Sequence, residues 1–328
     1  MRELLCHAAT FARIEPGLKR FDAQIDPILI HDDRTFSAPW SGTVEAEPRP
    51  EIVYATQDIY FSKAVGRFFE ILMADDRLDW FQSSAAGIEH PVLRAVGAKS
   101  AAYTSSHEQS ASIAEWVIWA GLDFFQGGPE RRAAQAARDW KRMSFREIAG
   151  THWLVIGFGH IGQESARRLR ALGARVTGVR RSGGAHEHAD AMTGPGDLPA
   201  TLPHADAILL SLPLTGETEG LADAAFFAAM KPGALFANVG RGRLVDEPAL
   251  LEGLAAGRPA HAALDVVCEE PLPDDSPIWS HPQVTLTPHI SALTQAAKRR
   301  TDALFLDNLE RYLTGAPLRN LVPREEFA

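Results

Sequence analysis

The chain has 328 residues, 45% of them hydrophobic and 23% charged, and its 33 basic and 42 acidic residues give a net charge of -9. Such a length favours two domains, the apolar share excludes a disordered chain, and the acidic surplus excludes a binder of nucleic-acid backbones, which needs a basic stripe. The sequence has no apolar run near the roughly 20 residues that span a bilayer, no signal-like opening and only two cysteines, Cys6 and Cys268, so the expectation is a cytoplasmic protein without membrane or nucleic-acid partners.

Short apolar runs at Ile28 to Ile30, Ile52 to Ala55 and Trp80 to Gln82 read as buried parallel strands, and Lys63 to Ala74 has helical spacing. The first hundred residues thus predict a small α/β unit. A helix follows over Ala111 to Phe125, its end marked by Gly127-Gly128-Pro129, and its large side chains suggest a subunit contact, an internal interdomain helix, or both. Strands are predicted at Trp153 to Ile156, Arg175 to Val179, Ala207 to Leu212, Ala234 to Asn238, Ala260 to Val266 and Val284 to Thr287. Helices at Ile161 to Leu172, Ala222 to Met230 and Pro248 to Ala256 alternate with them, the pattern of a parallel sheet covered on both faces. Ser182 to Pro199 reads as a loop with a short helical turn, and a last helix covers Thr294 to Leu313.

Gly157-Phe158-Gly159-His160-Ile161-Gly162 leaves a predicted strand and enters a predicted helix. A bare Gly-x-Gly-x-x-Gly also occurs in ordinary turns, but in this setting each glycine has its own use. Gly157 makes the turn, Gly159 lets a pyrophosphate approach, and Gly162 lets helix and sheet pack. A dinucleotide site is expected here. About 20 residues on, where an NAD site places a carboxylate for the ribose, stand Arg180, Arg181 and Ser182. Two guanidinium groups and a hydroxyl suit a 2'-phosphate, so the expected cofactor is NADP, with NADPH preferred over NADH.

Arg241, Glu270 and His289 each follow a predicted strand of the same domain. A guanidinium can hold and polarise a 2-keto acid, and a histidine kept charged by a carboxylate can protonate the alkoxide that hydride transfer leaves. This set points to an acid/base catalyst beside a dinucleotide. His186 and His188, with Glu187 and Asp190 nearby, lack further ligands at a suitable spacing, and no metal is expected.

Gly157 to Gly162, Ser211-Leu-Pro-Leu-Thr215 with Glu217-Thr218, Asn238-Val-Gly-Arg-Gly-Arg-Leu-Val-Asp246, Leu264-Asp-Val, Glu270-Pro-Leu-Pro273 and Thr287-Pro-His289 together resemble the D-isomer-specific 2-hydroxyacid dehydrogenase family, with its glyoxylate and hydroxypyruvate reductases the nearest in look. The resemblance implies two α/β domains, each a parallel sheet flanked by helices. One is a Rossmann-type NAD(P)-binding domain over 106–292, the other a discontinuous, smaller, flavodoxin-like substrate-binding domain over 1–105 plus 293–328. It implies Arg241, Glu270 and His289 as the catalytic set. Cofactor contacts would come from Gly157, Phe158, Gly159, His160, Ile161, Gly162, Arg180, Arg181, Ser182, Leu212, Pro213, Thr218, Val239, Gly240, Arg241, Asp265, His289 and Ser291. Substrate contacts would come from the backbone at Ala85, Ala86 and Gly87 and from Arg241 and His289, and the assembly would be a homodimer. The expected reaction is NADPH-dependent reduction of glyoxylate or hydroxypyruvate to the D-hydroxy acid. The alternatives are a dehydrogenase of a bulkier D-2-hydroxy acid and a non-catalytic NADP(H) sensor. Gly240 stands where the family often has Ala or Ser.

Overall fold

The structure is a computed structural model that describes every residue except 43, 45, 46, 75–77 and 328. The chain divides into two compact units, Met1–Gln109 with Gln295–Ala328, and Ser110–Thr294.

Unit 1 is built on six strands: β1 (Arg2–His7), β2 (Ile25–Ile30), β3 (Phe36–Ser37), β4 (Ile52–Ala55), β5 (Leu78–Ser83) and β6 (Ser100–Thr104). Their order is β3-β2-β1-β4-β5-β6, parallel throughout except for the antiparallel edge strand β3. Both faces are covered. Phe68, Leu72 and Phe81 belong to one core, while Leu4, Ile14, Trp80, Phe305 and Leu309 belong to the other. Phe305, from the helix Gln295–Thr314, stacks on Tyr54 at 4.0 Å between ring centroids, so the chain's last helix completes a core begun by its first strand.

Unit 2 carries seven strands: β7 (His152–Ile156), β8 (Arg175–Val179), β9 (Ala191–Thr193), β10 (Ala207–Leu210), β11 (Leu235–Asn238), β12 (His261–Leu264) and β13 (Val284–Leu286). Their order, β13-β12-β11-β10-β7-β8-β9, reverses direction between β7 and β10. All pairs are parallel, so this is a doubly wound Rossmann sheet, and ligands of such sheets sit beyond the carboxyl ends of the strands at that reversal. The helix Ser110–Phe125 turns Ile113, Val117, Ala120 and Phe125 into unit 2's own core against Trp153. Trp119 on the same helix stays 44% exposed.

Two expectations are extended. Gly127-Gly128-Pro129 does end one helix, but it also starts another, Gly128–Ala136: the proline sits in the first turn, where its missing N–H costs nothing. The segment from Ser182 to Pro199 contains the expected helical turn, a 3-10 turn at Pro195–Asp197, and in addition an edge strand, Ala191–Thr193, that pairs with β8.

Candidate active site

The glycine-rich turn joins β7 to the helix His160–Ala171. Gly157 has φ +96, and a Cβ there would lie 2.7 Å from the backbone of Ser211, so the position needs glycine on both counts. Ser211 also ties the turn down, its hydroxyl donating to the Gly157 carbonyl at 2.7 Å. A Cβ on Gly162 would meet the Gly157 carbonyl at 2.3 Å, whereas one on Gly159 would meet nothing within 4 Å. Tight packing at the outer two glycines and open space at the middle one leave backbone accessible at a helix N-terminus, which fits a pyrophosphate. Phe158 is buried and packs against the ring of His186, while His160 is exposed at the start of the helix.

Arg241 follows β11 through a turn held by Asn238. The Asn238 side chain accepts from the Gly240 amide at 3.0 Å and donates to the Arg241 carbonyl at 2.9 Å. A Cβ on Gly240 would come within 2.8 Å of the Leu212 carbonyl, and one on Gly242 would overlap the backbone at Val267 at 1.9 Å. The loops after β10, β11 and β12 are thus drawn together around Arg241. Val239 is buried within them, Leu212 is half-buried and Pro213 is exposed.

His289 lies just past β13 in a left-handed conformation, φ +53, uncommon for a residue other than glycine and held here by its surroundings. The holding group is Asp265. Its buried carboxylate accepts from the Thr287 hydroxyl at 2.6 Å and from the amides of Ile290 at 3.0 Å and Ser291 at 3.2 Å, and also takes the Ser291 hydroxyl. The His289 amide donates to the Asp265 carbonyl at 2.8 Å. Asp265 and Ser291 therefore spend their side chains on fixing the histidine loop.

The His289 ring nitrogen Nδ1 is 2.8 Å from Glu270 Oε2, and Glu270 Oε1 accepts from the Val267 amide at 3.2 Å. The Glu270 hydrogen bond raises the imidazole's pKa above its usual value, although partial burial works against it. Burial would raise Glu270, but the bond to His289 outweighs it and holds the carboxyl below the usual range. The pair is a charged one, with Nε2 left as the free proton-bearing edge.

In unit 1, the Ala85 amide already donates to the Ser83 hydroxyl at 3.0 Å. The amides of Ala86 and Gly87 have no hydrogen-bond partner among the described residues, so they remain as the two open donors of the loop implied to hold a substrate carboxylate.

The family described as D-isomer specific 2-hydroxyacid dehydrogenase, NAD binding domain, matches residues 118–291, more than half of the chain. The chain belongs to the D-isomer specific 2-hydroxyacid dehydrogenase family. It is 32% identical over 249 residues to a D-3-phosphoglycerate dehydrogenase of Mycobacterium bovis, which covers 75% of this chain and 47% of the relative. It is 36% identical over 204 residues to a glyoxylate/hydroxypyruvate reductase B of Citrobacter koseri, covering 58% and 63%. The chain thus spans about half the length of the first relative and under two thirds of the second. A family member from Xanthobacter autotrophicus, solved in complex with NADPH and MES, superposes with a TM-score of 0.76 at 26% identity, over 100% of this chain and 99% of that one.

Within this member of the family, the segment after β8 is engaged with itself. Arg180 donates Nε to the Gly183 carbonyl at 2.8 Å and so shapes the loop, while Arg181 forms a well-exposed ion pair with Glu217 at 3.1 Å. Ser182 is exposed. The Thr218 hydroxyl donates to the Pro213 carbonyl at 2.8 Å and receives the Thr215 amide at 2.8 Å, which makes it the clasp of its turn. His186 Nδ1 accepts from the His188 amide at 3.2 Å and the two rings pack edge to face, so the pair is used locally. Asn238 escaped sequence reasoning as a site residue. A short amide side chain two residues before a glycine, at a strand end, was its only signal.

Proposed function

We propose that this protein reduces small 2-keto acids of the glyoxylate and hydroxypyruvate type to D-2-hydroxy acids, with NADPH preferred over NADH. The observation that carries the reading is the His289–Glu270 pair at 2.8 Å, on a loop that Asp265 holds in place beyond the strand ends of a Rossmann sheet. The residues fit a dinucleotide: the Gly157 to Gly162 turn and the amides of the following helix would take the pyrophosphate, and Arg180, Arg181 and Ser182 would take the 2'-phosphate. When bound, the reduced nicotinamide supplies the hydride.

The protein's own work is positioning and proton transfer. Arg241 holds the substrate carboxylate and draws charge toward the carbonyl oxygen. As that oxygen becomes an alkoxide, His289 gives it the Nε2 proton and is left neutral, and Glu270 keeps the ring oriented and recharged from solvent. The open amides of Ala86 and Gly87 add donors for the carboxylate. Two relatives point the same way in part: the Citrobacter koseri protein is named a glyoxylate/hydroxypyruvate reductase, and the Xanthobacter autotrophicus structure contains NADPH. We further propose a homodimer formed through unit 2, where Trp119, Trp140 and Phe145 are exposed.

The test is consumption of NADPH by the purified protein with a panel of 2-keto acids. Arg241→Ala and His289→Ala are each expected to lower kcat/KM by about a hundredfold or more, the usual scale for a lost general acid or charge clamp. NADPH binding without turnover of any keto acid would defeat the reading. A preference for NADH would defeat the cofactor part alone.

A further inference from the structure

Unit 1 contains a small pocket of about 20 Å3, room for one hydroxyl-sized group, whose walls include Tyr54, Thr56, Gln57, Asp58 and Ser84. None of these residues belongs to the dinucleotide turn or to the Arg241, Glu270 and His289 set. In the wall, Ser84 Oγ and Gln57 Oε1 are buried and lack any hydrogen-bond partner among the described residues, and Ser84 as a whole is only 9% exposed. Buried polar atoms are normally paired, so a wall with two orphans is shaped for a polar guest.

The charged side chains around the pocket are in the opposite condition. Arg13 donates Nε to Asp302 at 2.8 Å and a terminal nitrogen to Asp58 at 2.5 Å. Lys298 donates to Asp58 at 2.9 Å, the Thr10 hydroxyl donates to Asp58 at 2.9 Å, and the Tyr54 hydroxyl donates to Asp302 at 2.8 Å. Burial would raise the Asp58 pKa, but its bonds from Lys298, Arg13 and Thr10 lower it to about 2, so the carboxylate stays ionised. Two cations face two carboxylates, and no positive charge is left uncompensated. A phosphate or a second carboxylate entering here would lose its water beside two fixed anions. A hydroxyl would lose little, since it can donate to Gln57 Oε1 and exchange a bond with Ser84 Oγ.

Location connects the pocket to the keto acid. Ser84 directly precedes the Ala85–Gly87 loop, and two residues of chain span at most about 7 Å, the reach of a three-carbon acid hydrogen-bonded at both ends. We propose that this pocket is the specificity site for the far end of the substrate, that Ser84 and Gln57 receive a neutral hydroxymethyl group there, and that the balanced Arg13, Lys298, Asp58 and Asp302 cluster rejects a phosphorylated or dicarboxylic acid. The proposal rests on the reading of the protein as a 2-keto acid reductase.

The experiment compares kcat/KM with NADPH for glyoxylate, hydroxypyruvate and 3-phosphohydroxypyruvate in the wild type, Ser84→Ala and Gln57→Met, with circular dichroism to verify folding. The ratio of hydroxypyruvate to glyoxylate is expected to fall about five- to tenfold in each variant, the effect of one lost hydrogen bond. The wild type should favour hydroxypyruvate over its phosphorylated form by at least about a hundredfold, and Asp58→Asn should narrow that gap. A ratio unmoved in folded variants, or a wild type that accepts the phosphorylated acid equally, overturns the proposal and leaves the reductase reading standing. Calorimetric binding of D-glycerate and glycolate to the protein with NADP gives a readout free of turnover. If no keto acid is reduced but D-glycerate still binds more tightly than glycolate, and Ser84→Ala removes the difference, the pocket stands and the reductase reading falls. If D-glycerate binds no better than glycolate, the proposal falls.

Discussion

The histidine loop and the arginine loop after β8 both carry side chains singled out for function, yet they are built on opposite principles. At 265–291, one buried carboxylate gathers two amides and two hydroxyls, and a histidine is held in a left-handed backbone conformation to meet a glutamate at 2.8 Å. At 180–184, Arg180 is spent on its own loop's carbonyls, and Arg181 meets Glu217 in a single pair with both side chains 77% exposed. Proton transfer tolerates little error in position, so its group is fixed before any ligand arrives. Recognition of a doubly charged phosphate works through long flexible cations at the surface, where adjustment costs little.

The strongest way to break this contrast is Asp265→Ala. It strands four donors, two of them on the buried Ser291, so a stability loss of about 2–3 kcal/mol is expected, read as a lowered thermal midpoint. Activity should fall further than stability alone explains, because His289 loses its enforced geometry. Equal effects of Asp265→Ala and Thr287→Ala would mean that the carboxylate is not the organiser.

Glu270→Gln comes next. The bond to Glu270 raises the folded-state pKa of His289, so the charged imidazole is fully present at low pH and is lost as pH rises through that raised value. Keto acid reduction should therefore hold steady on the acidic side and decline through an inflection above the usual histidine range. In Glu270→Gln the inflection should move to lower pH, with kcat reduced by about ten- to a hundredfold. An unchanged pH profile would separate Glu270 from the proton.

The smallest effect belongs to the arginine loop. Glu217→Gln frees Arg181 from an exposed pair, and such pairs are weak, so the KM for NADPH should drop by no more than about threefold while that for NADH stays put. Arg181→Ala should move NADPH the other way. A tenfold response to Glu217→Gln would show the surface pair to be as constraining as the histidine loop, and the contrast would dissolve.

Legibility in the sequence follows the same division. The strands of unit 2 other than the edge strand β9 are readable because they are largely apolar runs between turn residues, as in Trp153 to Ile156 and Ala207 to Leu210. In unit 1 the central strand β1 gives no such signal, since Arg2 and Glu3 hide the buried Leu4-Leu5-Cys6 behind charge. The edge strand β6, Ser100–Thr104, is too poor in large apolar residues to show itself. Arg241, Glu270 and His289 can be picked out because each follows a strand end. The service of Asp265 to residues 22 to 26 positions later cannot, because hydrogen bonds across such distances leave no period in the sequence. The cluster of Arg13, Asp58 and Asp302, separated by 45 and 244 positions, is invisible for the same reason.

The helix Gln295–Thr314 gives unit 1 a particular relation to time. Phe305 fills the gap between Tyr54 and Trp80, and Asp302 takes the Tyr54 hydroxyl, so this sheet lacks part of its core until residues made after all of unit 2 have left the ribosome. Unit 2 is contiguous and can fold as soon as it emerges. The strands of unit 1 must wait, with apolar faces uncovered, for a helix that is made only after all of unit 2.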